Sequence, residues 1–350
     1  MFWLVFFRYT IPENFIAMTV AISLTTCSVT SVTKILFMKY NVNHIQEIVE
    51  NFLTFDAQIV QKTRFAINLR KNLRLVKKRA LFIWVFLLSN CAIYMMIPFL
   101  RPGRHFTQDL YIIYGLEPMV ESPNYEIAST LTTIGITYGV CVMVNVAVYV
   151  IVILGYNEAQ FYAISEELKN LWDDSQNFYK KIKHQIQYNK IYAINIREKI
   201  VNEYIRIRLK TLIHYHVTNV NLFKEMSCQL SDILAIEYSI MVIAIIAELL
   251  GGLENTYLQV PYTLVQISMD CLSGQRLIDA CHELENSLYS CEWENFNVSN
   301  QKTILLMLLI SQKTLMLSAG GMTNLNFSCL MIILKSSYSA YTTLKSSIQN

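Results

Sequence analysis

The residue types suited to metal chemistry are scattered along this sequence rather than grouped. Cys281 with the adjacent His282, and Cys291 further on, come nearest to a metal-binding cluster. A zinc site of this kind normally contains a Cys-x-x-Cys pair, and the sequence has none. His214 and His216 are two residues apart, which on a helix turns them toward different faces. We therefore predict that the protein holds no metal and no cofactor.

Sequence motifs of catalysis are also missing. The sequence contains no phosphate-binding loop, no nucleophile elbow, no zinc-binding helix and no dinucleotide-binding fingerprint. We predict a protein that is not an enzyme, and we expect no nucleic-acid partner. Its function has to be sought in binding or transport rather than in covalent chemistry.

The elements that must position the functional side chains are long apolar blocks. Of the 350 residues, 53% are hydrophobic and 16% are charged, whereas a soluble chain carries about 25% charged residues. A spanning helix needs about 20 mainly apolar residues, and its backbone groups must be satisfied within the segment. Six such blocks predict an all-α polytopic transmembrane helix bundle. They are Asn14–Met38, Ala80–Leu100, Ile127–Leu154, Ile233–Leu250, Tyr257–Leu272 and Met322–Leu344.

Two further apolar stretches are too short to span a bilayer. Thr303–Leu317 is separated from the last block by the small residues Ser318–Gly321. Met1–Phe7 lacks the basic start and the cleavage site of a signal peptide. We expect it to be the tail of a helix whose beginning is absent, in a chain truncated at its N terminus.

The distribution of Lys and Arg between alternate loops orients the bundle. Residues 39–79 carry nine of them and residues 155–231 carry eleven, whereas residues 101–126 carry only Arg101 and Arg104. The positive-inside rule puts both basic loops in the cytoplasm. Counting crossings from these loops predicts an inverted topology with an extracellular C terminus.

The two longest loops differ in character. Residues 101–126 contain several Pro and Gly residues, which punctuate turns, and four acidic residues; this predicts a compact extracellular lid. Residues 155–231 contain neither Pro nor Gly after Gly155, and apolar residues recur at helical spacing, which predicts helices extended into the cytoplasm. We divide the chain into a ligand-binding bundle, residues 1–272, and a C-terminal unit, residues 273–350.

Several motifs in the last eighty residues occur in a recognisable order. They are Gly274–Leu277, Leu288–Trp293, Ser318–Gly320, Leu334–Ser339 and Leu344–Lys345. Together they resemble the C-terminal signature of insect odorant receptors. The loop layout is similar to that family as well, with a long cytoplasmic loop and an extracellular C terminus.

The resemblance implies both a function and an assembly. It implies a ligand-tuning subunit that joins a shared co-receptor in a hetero-tetrameric, odorant-gated, non-selective cation channel of the sensory neuron plasma membrane. Thr303–Leu317 would then be an anchor helix, Met322–Leu344 would line the pore, and Gly320 and Gly321 would form the hinge between them. The implied partners are the co-receptor, a small hydrophobic volatile ligand and the lipid bilayer.

The helix implied to line the pore has a polar and aromatic side. The pore-lining candidates are Ser337, Tyr338, Tyr341 and Leu344, at spacings that place them on one side. We predict that Tyr341 and Leu344 lie near the outer constriction; packing between subunits is the alternative. Lys335 is unfavourable in a cation pathway, so we expect it to snorkel or to face a wide vestibule.

The odorant pocket is expected in the outer half of the bundle. Aromatic rings, methionine and a few polar groups suit neutral hydrophobic ligands. The candidates are Tyr94, Tyr138, Met143, Tyr262 and Gln266. Ordinary bundle packing is the alternative for each of them. Gly135 and Gly139 form a small-xxx-small pair, which favours close helix packing over a ligand cavity.

Alternatives from other classes remain open. A G-protein-coupled receptor also has seven helices, but with the opposite topology, and neither an Asp-Arg-Tyr nor an Asn-Pro-x-x-Tyr motif is present. A gustatory receptor is a related channel that works without the co-receptor, and Leu288–Trp293 favours the odorant branch. A transporter would need interrupted helices repeated in two halves, and we find no such repeat.

Overall fold

The computed structural model describes residues 15–107, 109, 112–183 and 190–349, and most of them are helical. The predicted helix tail Met1–Phe7 lies outside these ranges. The helices are α1 (Phe15–Tyr40), α2 (Val42–Gln58), α3 (Arg64–Leu100), α4 (Asn124–Lys169), α5 (Leu171–Ile182), α6 (Lys190–Leu250), α7 (Leu253–Thr256), α8 (Gln259–Tyr289), α9 (Val298–Ser311) and α10 (Phe327–Gln349). A two-stranded antiparallel hairpin, β1 (Ser318–Ala319) and β2 (Thr323–Asn324), precedes α10.

Four helices of the described chain are long and apolar enough to cross a membrane. They are α1, α3, α4 and the part of α6 from Ile196 to Leu250. Four of the six predicted blocks fall on them, which confirms a multi-pass helical membrane protein. The blocks Tyr257–Leu272 and Met322–Leu344 fall on α8 and α10, whose buried polar residues and Ser/Thr runs make them less apolar.

Helices α4 and α6 are much longer than a bilayer is thick. They contain 46 and 61 residues, which at 1.5 Å per residue gives about 70 and 90 Å, against a hydrocarbon core of about 30 Å. The prediction that residues 155–231 continue as helices is confirmed over the described residues of this range, 155–183 and 190–231, which are almost all helical. The extension contributes to the main buried core, where Phe161, Ile164 and Leu168 of α4 join Ile205 and Leu209 of α6 in one cluster.

Ion pairs link neighbouring helices at the level where the helices leave the apolar region. Arg79 of α3 pairs with Glu158 of α4 at 2.5 Å. Arg64, at the start of α3, contacts Glu167 of α4 at 2.9 Å and Asp174 of α5 at 2.6 Å. Charge-assisted hydrogen bonds of this geometry are among the stronger polar contacts in proteins. They therefore fix α3, α4 and α5 relative to one another.

The predicted bounds of the anchor helix, Thr303–Leu317, are wrong at both ends. Helix α9 begins five residues earlier because the Asn297 side chain accepts a hydrogen bond from the backbone N–H of Asn300 at 2.9 Å, a standard N-cap. The helix ends at Ser311, since the chain must then extend so that the Leu317 carbonyl can accept a hydrogen bond from the Leu325 N–H.

The predicted start of the last helix, Met322, is also wrong. Residues Thr323–Asn324 pair with Ser318–Ala319 as the hairpin, and α10 begins only at Phe327. Gly320 and Gly321 form the turn with φ of 59° and 70°, a left-handed conformation that glycine adopts without steric cost. The break predicted between the two apolar segments is thus a β-turn.

Gly274 allows α8 to touch the residue that follows the hairpin. A Cβ atom at position 274 would lie 2.0 Å from the carbonyl oxygen of Leu325. Leu325 is fully buried, so its backbone has no room to retreat. This contact gives a physical reason for the glycine in the motif Gly274–Leu277.

We predict that Gly274→Ala destabilises the protein by about 1–3 kcal/mol, because overpacking forces backbone shifts. The control is Gly135→Ala, also in a helix, where an added Cβ has no atom within 4 Å. The measurement is the thermal denaturation midpoint of detergent-solubilised protein, followed by size-exclusion chromatography. Equal midpoints for the two variants would contradict the close approach.

Candidate functional site

A cavity of about 600 Å³ opens between α1, α3, α4 and the start of α8. Its volume is within the range of small-molecule pockets, about 300–1,000 Å³. Four of the five predicted pocket residues line it: Tyr94 from α3, Tyr138 and Met143 from α4, and Tyr262 from α8. Most of the wall is apolar, contributed by aliphatic and aromatic side chains of all four helices.

The fifth predicted pocket residue, Gln266, lies away from this cavity. It is buried one turn further along α8, where its Nε2 donates a hydrogen bond to Glu237 Oε1 at 2.8 Å. The same Glu237 oxygen is 2.6 Å from Lys34 Nζ, and Asp270 is buried one turn beyond Gln266. We call Lys34, Glu237, Gln266 and Asp270 the buried charge cluster; it joins α1, α6 and α8.

Helix α1 forms one wall of the cavity, although no residue of it was predicted to do so. Cys27, Ser31 and Val32 are among the lining residues. Ser31 Oγ donates a hydrogen bond to the Gly139 carbonyl at 3.3 Å, and a Cβ at Gly139 would lie 3.2 Å from Ser31 Oγ. Gly135 has only open space beside it. Gly139 thus serves close packing, as predicted, whereas Gly135 widens the cavity.

The segment predicted to be a lid closes one end of the cavity. Phe106, Thr107 and Ile113 line the cavity from this segment. Phe106 and Met119 pack against Ala128 at the start of α4 in a small separate cluster. A second, polar pocket of about 130 Å³ lies next to the cavity and shares Thr107 with its wall.

The cysteines considered for metal binding are held as neutral thiols. Burial raises the pKa of Cys281 to about 11 and that of Cys291 to about 11. The thiolate, not the thiol, is the metal ligand. Within the described residues, no group of three or more His, Cys, Asp or Glu side chains could hold a metal ion.

The predicted pore residues do not share one environment in the single subunit. Ser337 is 1% exposed and faces its own bundle, whereas Tyr338 is 63% exposed. Tyr341 is half-buried and its ring centroid lies 6.1 Å from that of Tyr338. Leu344 is exposed. It borders a shallow groove on the outer side of α10 together with Lys335, Ser336, Ser339, Ala340 and Thr343.

An apolar cavity beside a lid segment, within a bundle of spanning helices, is the type of site at which small molecules bind in proteins. Residues 14–338 match the family model 7tm Odorant receptor. The chain therefore belongs to the odorant receptor family, a family of receptors rather than enzymes. This assignment decides against the G-protein-coupled and transporter alternatives.

Two solved structures have the same fold over nearly the whole chain. The structure of the insect olfactory receptor OR5 from Machilis hrabei in complex with eugenol matches with a TM-score of 0.74 and 12% sequence identity, covering 96% of this chain and 83% of that one. The structure of the same receptor described without eugenol matches with a TM-score of 0.71 and 13% identity, covering 95% and 82%. No curated protein sequence matches.

We predict that Lys34→Met reduces the amount of folded protein, because it removes the cationic partner of the buried Glu237 side chain. Breaking a buried pair from one side costs about 3–5 kcal/mol. Adding Glu237→Gln should restore much of the loss, since the neutral amide no longer needs a cation.

The readout of this prediction is monodisperse receptor recovered from membranes, with Lys39→Met as the control. Lys39 lies on the same helix but is exposed, and it forms no salt bridge with the residues that the structure describes. Normal yield for Lys34→Met, or no rescue by the double variant, would contradict the structural role of the pair.

Proposed function

We propose that this chain is the odorant-tuning subunit of a heteromeric, odorant-gated, non-selective cation channel in the plasma membrane of sensory neurons. The observation that carries the proposal is the apolar cavity next to the lid segment. Eugenol, present in the related solved complex, is a small volatile molecule of the kind such a cavity suits. Channel opening follows if the ligand binds the open state more tightly than the closed state.

The proposed ion pathway runs along the outer face of α10. One face of this helix is committed to its own subunit through Cys329, Ile333 and Ser337, all buried. The side of the helix next to this face carries hydroxyl groups around the groove that Ser336 and Thr343 border, and polar faces of this kind can carry hydrated ions. We therefore assign the pathway to this polar side and to the exposed candidates, and not to Ser337.

The proposed co-receptor contact involves α9. Four of its large apolar side chains are at least half exposed: Leu305, Leu306, Leu309 and Ile310. Contiguous exposed apolar surface of this kind marks interaction sites. The anchoring role implied for this segment by the family resemblance fits such a surface, with the co-receptor as the neighbour in a hetero-tetramer.

We predict that the C terminus is extracellular. An epitope tag after Asn350 should bind antibody on intact cells, because the basic residues of 39–79 and 155–231 hold the opposite ends of the helices in the cytoplasm. A tag between Lys183 and Lys190 should be detected only after permeabilisation. The reverse labelling pattern would overturn both the topology and the channel proposal.

We predict that Val140→Trp abolishes odour-evoked current or raises the effective odorant concentration at least tenfold. Val140 lines the cavity, so an indole at this position would occupy the space of the ligand. The measurement is whole-cell current in cells that co-express the co-receptor, using the most effective odorant of a broad panel.

The matched control for this filling variant is Ile134→Trp. Ile134 lies on the same helix, is 62% exposed and does not line the cavity, so its variant should keep the wild-type response. Surface labelling must show equal delivery of both variants. A normal response of Val140→Trp would rule out this cavity as the odorant site.

A further inference from the structure

The cavity wall is uncharged. Among the described residues that line it, none is Asp, Glu, Lys, Arg or His. A charged ligand would have to enter without a counter-charge, and burying an unpaired ion is very costly. The cavity thus suits neutral molecules.

Three of the four Ser and Thr hydroxyl groups on the wall have partners within their own helices. Ser28 Oγ donates to the Leu24 carbonyl at 2.9 Å, and Ser31 Oγ donates to the Cys27 carbonyl at 2.9 Å. Thr132 Oγ1 donates to the Ala128 carbonyl at 2.8 Å. These groups need no hydrogen bond from a ligand, so this part of the wall behaves as apolar surface.

Three polar atoms at one corner of the cavity are different. Tyr94 Oη, Gln259 Nε2 and Tyr262 Oη are buried and make no hydrogen bond of good geometry; Tyr94 and Gln259 make only a weak contact with each other. Gln259 and Tyr262 lie three residues apart, on the same side of the first turn of α8, and the Tyr94 side chain of α3 approaches Gln259. Buried polar groups are nearly always paired in proteins, so a cluster of unpaired ones needs an explanation.

Contacts with neighbouring groups leave hydrogen-bond donors, rather than acceptors, free at this corner. Ser23 Oγ donates to Gln259 Oε1 at 2.8 Å, so the amide oxygen is occupied and its N–H₂ remains free. The hydroxyl groups of Tyr94 and Tyr262 can donate whichever way the amide is turned. The corner as a whole can therefore receive an oxygen atom that accepts hydrogen bonds.

We propose that the cavity selects neutral odorants that carry a hydrogen-bond-accepting oxygen, such as a carbonyl, at one end of a hydrophobic body. The oxygen binds at the corner formed by Tyr94, Gln259 and Tyr262. This inference rests on the proposed odorant-receptor function and adds the chemical class of the ligand.

The position of the corner also orients the ligand. Tyr94 and Gln259 line both the cavity and the adjoining polar pocket, which Arg101 and Asp109 border. The oxygen of the ligand therefore lies toward this polar mouth. The hydrophobic body of the ligand points the other way, into the apolar part of the cavity.

The test compares pairs of probes that differ only in the oxygen: acetophenone with α-methylstyrene, and cyclohexanone with methylenecyclohexane. Each hydrocarbon has nearly the shape of its ketone but is more hydrophobic, so a purely apolar pocket would prefer it. We expect the ketone of at least one pair to bind at least tenfold more tightly, because the hydrocarbon leaves the donors unpaired. Benzoate, the charged probe, should not bind.

Binding is measured as thermal stabilisation of the purified complex with the co-receptor, and activation as current in cells. In Tyr94→Phe and Tyr262→Phe, the preference for the ketone should fall roughly three- to tenfold while hydrocarbon binding stays the same or improves. Neither variant should lower the stability of the free complex by much, because neither hydroxyl makes a hydrogen bond of good geometry in the protein. Tyr149→Phe, outside the cavity wall, is the control and should keep the wild-type preference.

The outcomes of these measurements test the proposed ligand class and the proposed channel function separately. Equal or tighter binding of the hydrocarbons, no binding of either ketone, or an unchanged preference in both variants would overturn the ligand class. Current evoked equally by both members of each pair would leave the odorant receptor standing without this selectivity. Ketone-selective stabilisation without current would support the ligand class and count against the channel proposal.

Discussion

The buried ion pair between Lys34 and Glu237 is the constraint on which the arrangement of the bundle depends. A charge within the membrane interior costs several kcal/mol unless it is paired, so α1 and α6 must keep these side chains in contact at 2.6 Å. Gln266 adds α8 to the same oxygen of Glu237. The three helices cannot slide independently, and two of them form walls of the ligand cavity.

Local sequence patterns predicted the helices well and the chain reversal before α10 poorly. Blocks of about 20 apolar residues are set by bilayer thickness, so α1 and α3 could be found from composition alone. The hairpin depends on distant groups: the Gly320 N–H donates to the Ser231 carbonyl at 2.9 Å, and Leu325 packs against Gly274. Periodicity within one segment carries no information about such contacts. The N-cap at Asn297 was accessible, because an asparagine before an apolar run is a helix-start signal.

At the site too, suitable residue types could be predicted from the sequence, whereas the neighbours of each residue could not. Tyr94, Met143 and Tyr262 were found because large aromatic and sulfur-containing side chains suit an apolar pocket. Gln266 is a residue type that suits a ligand pocket, but its side chain contacts Glu237 instead of the cavity. No local sequence pattern could reveal that contact. Ser31 was not predicted as a pocket residue, because a serine is polar by type. In the structure its hydroxyl donates a hydrogen bond within its own helix, so it contributes an apolar surface to the wall.

Helix α8 connects the cavity and the hairpin through one continuous helix. Tyr262 stands at the ligand cavity and Gly274 at the hairpin, twelve residues or about 18 Å apart along one uninterrupted helix. At Gly274, the helix packs so closely against the Leu325 backbone that the two cannot move independently. A tilt of the first turn of α8 therefore displaces the segment that leads into α10, because no flexible joint interrupts the helix between them.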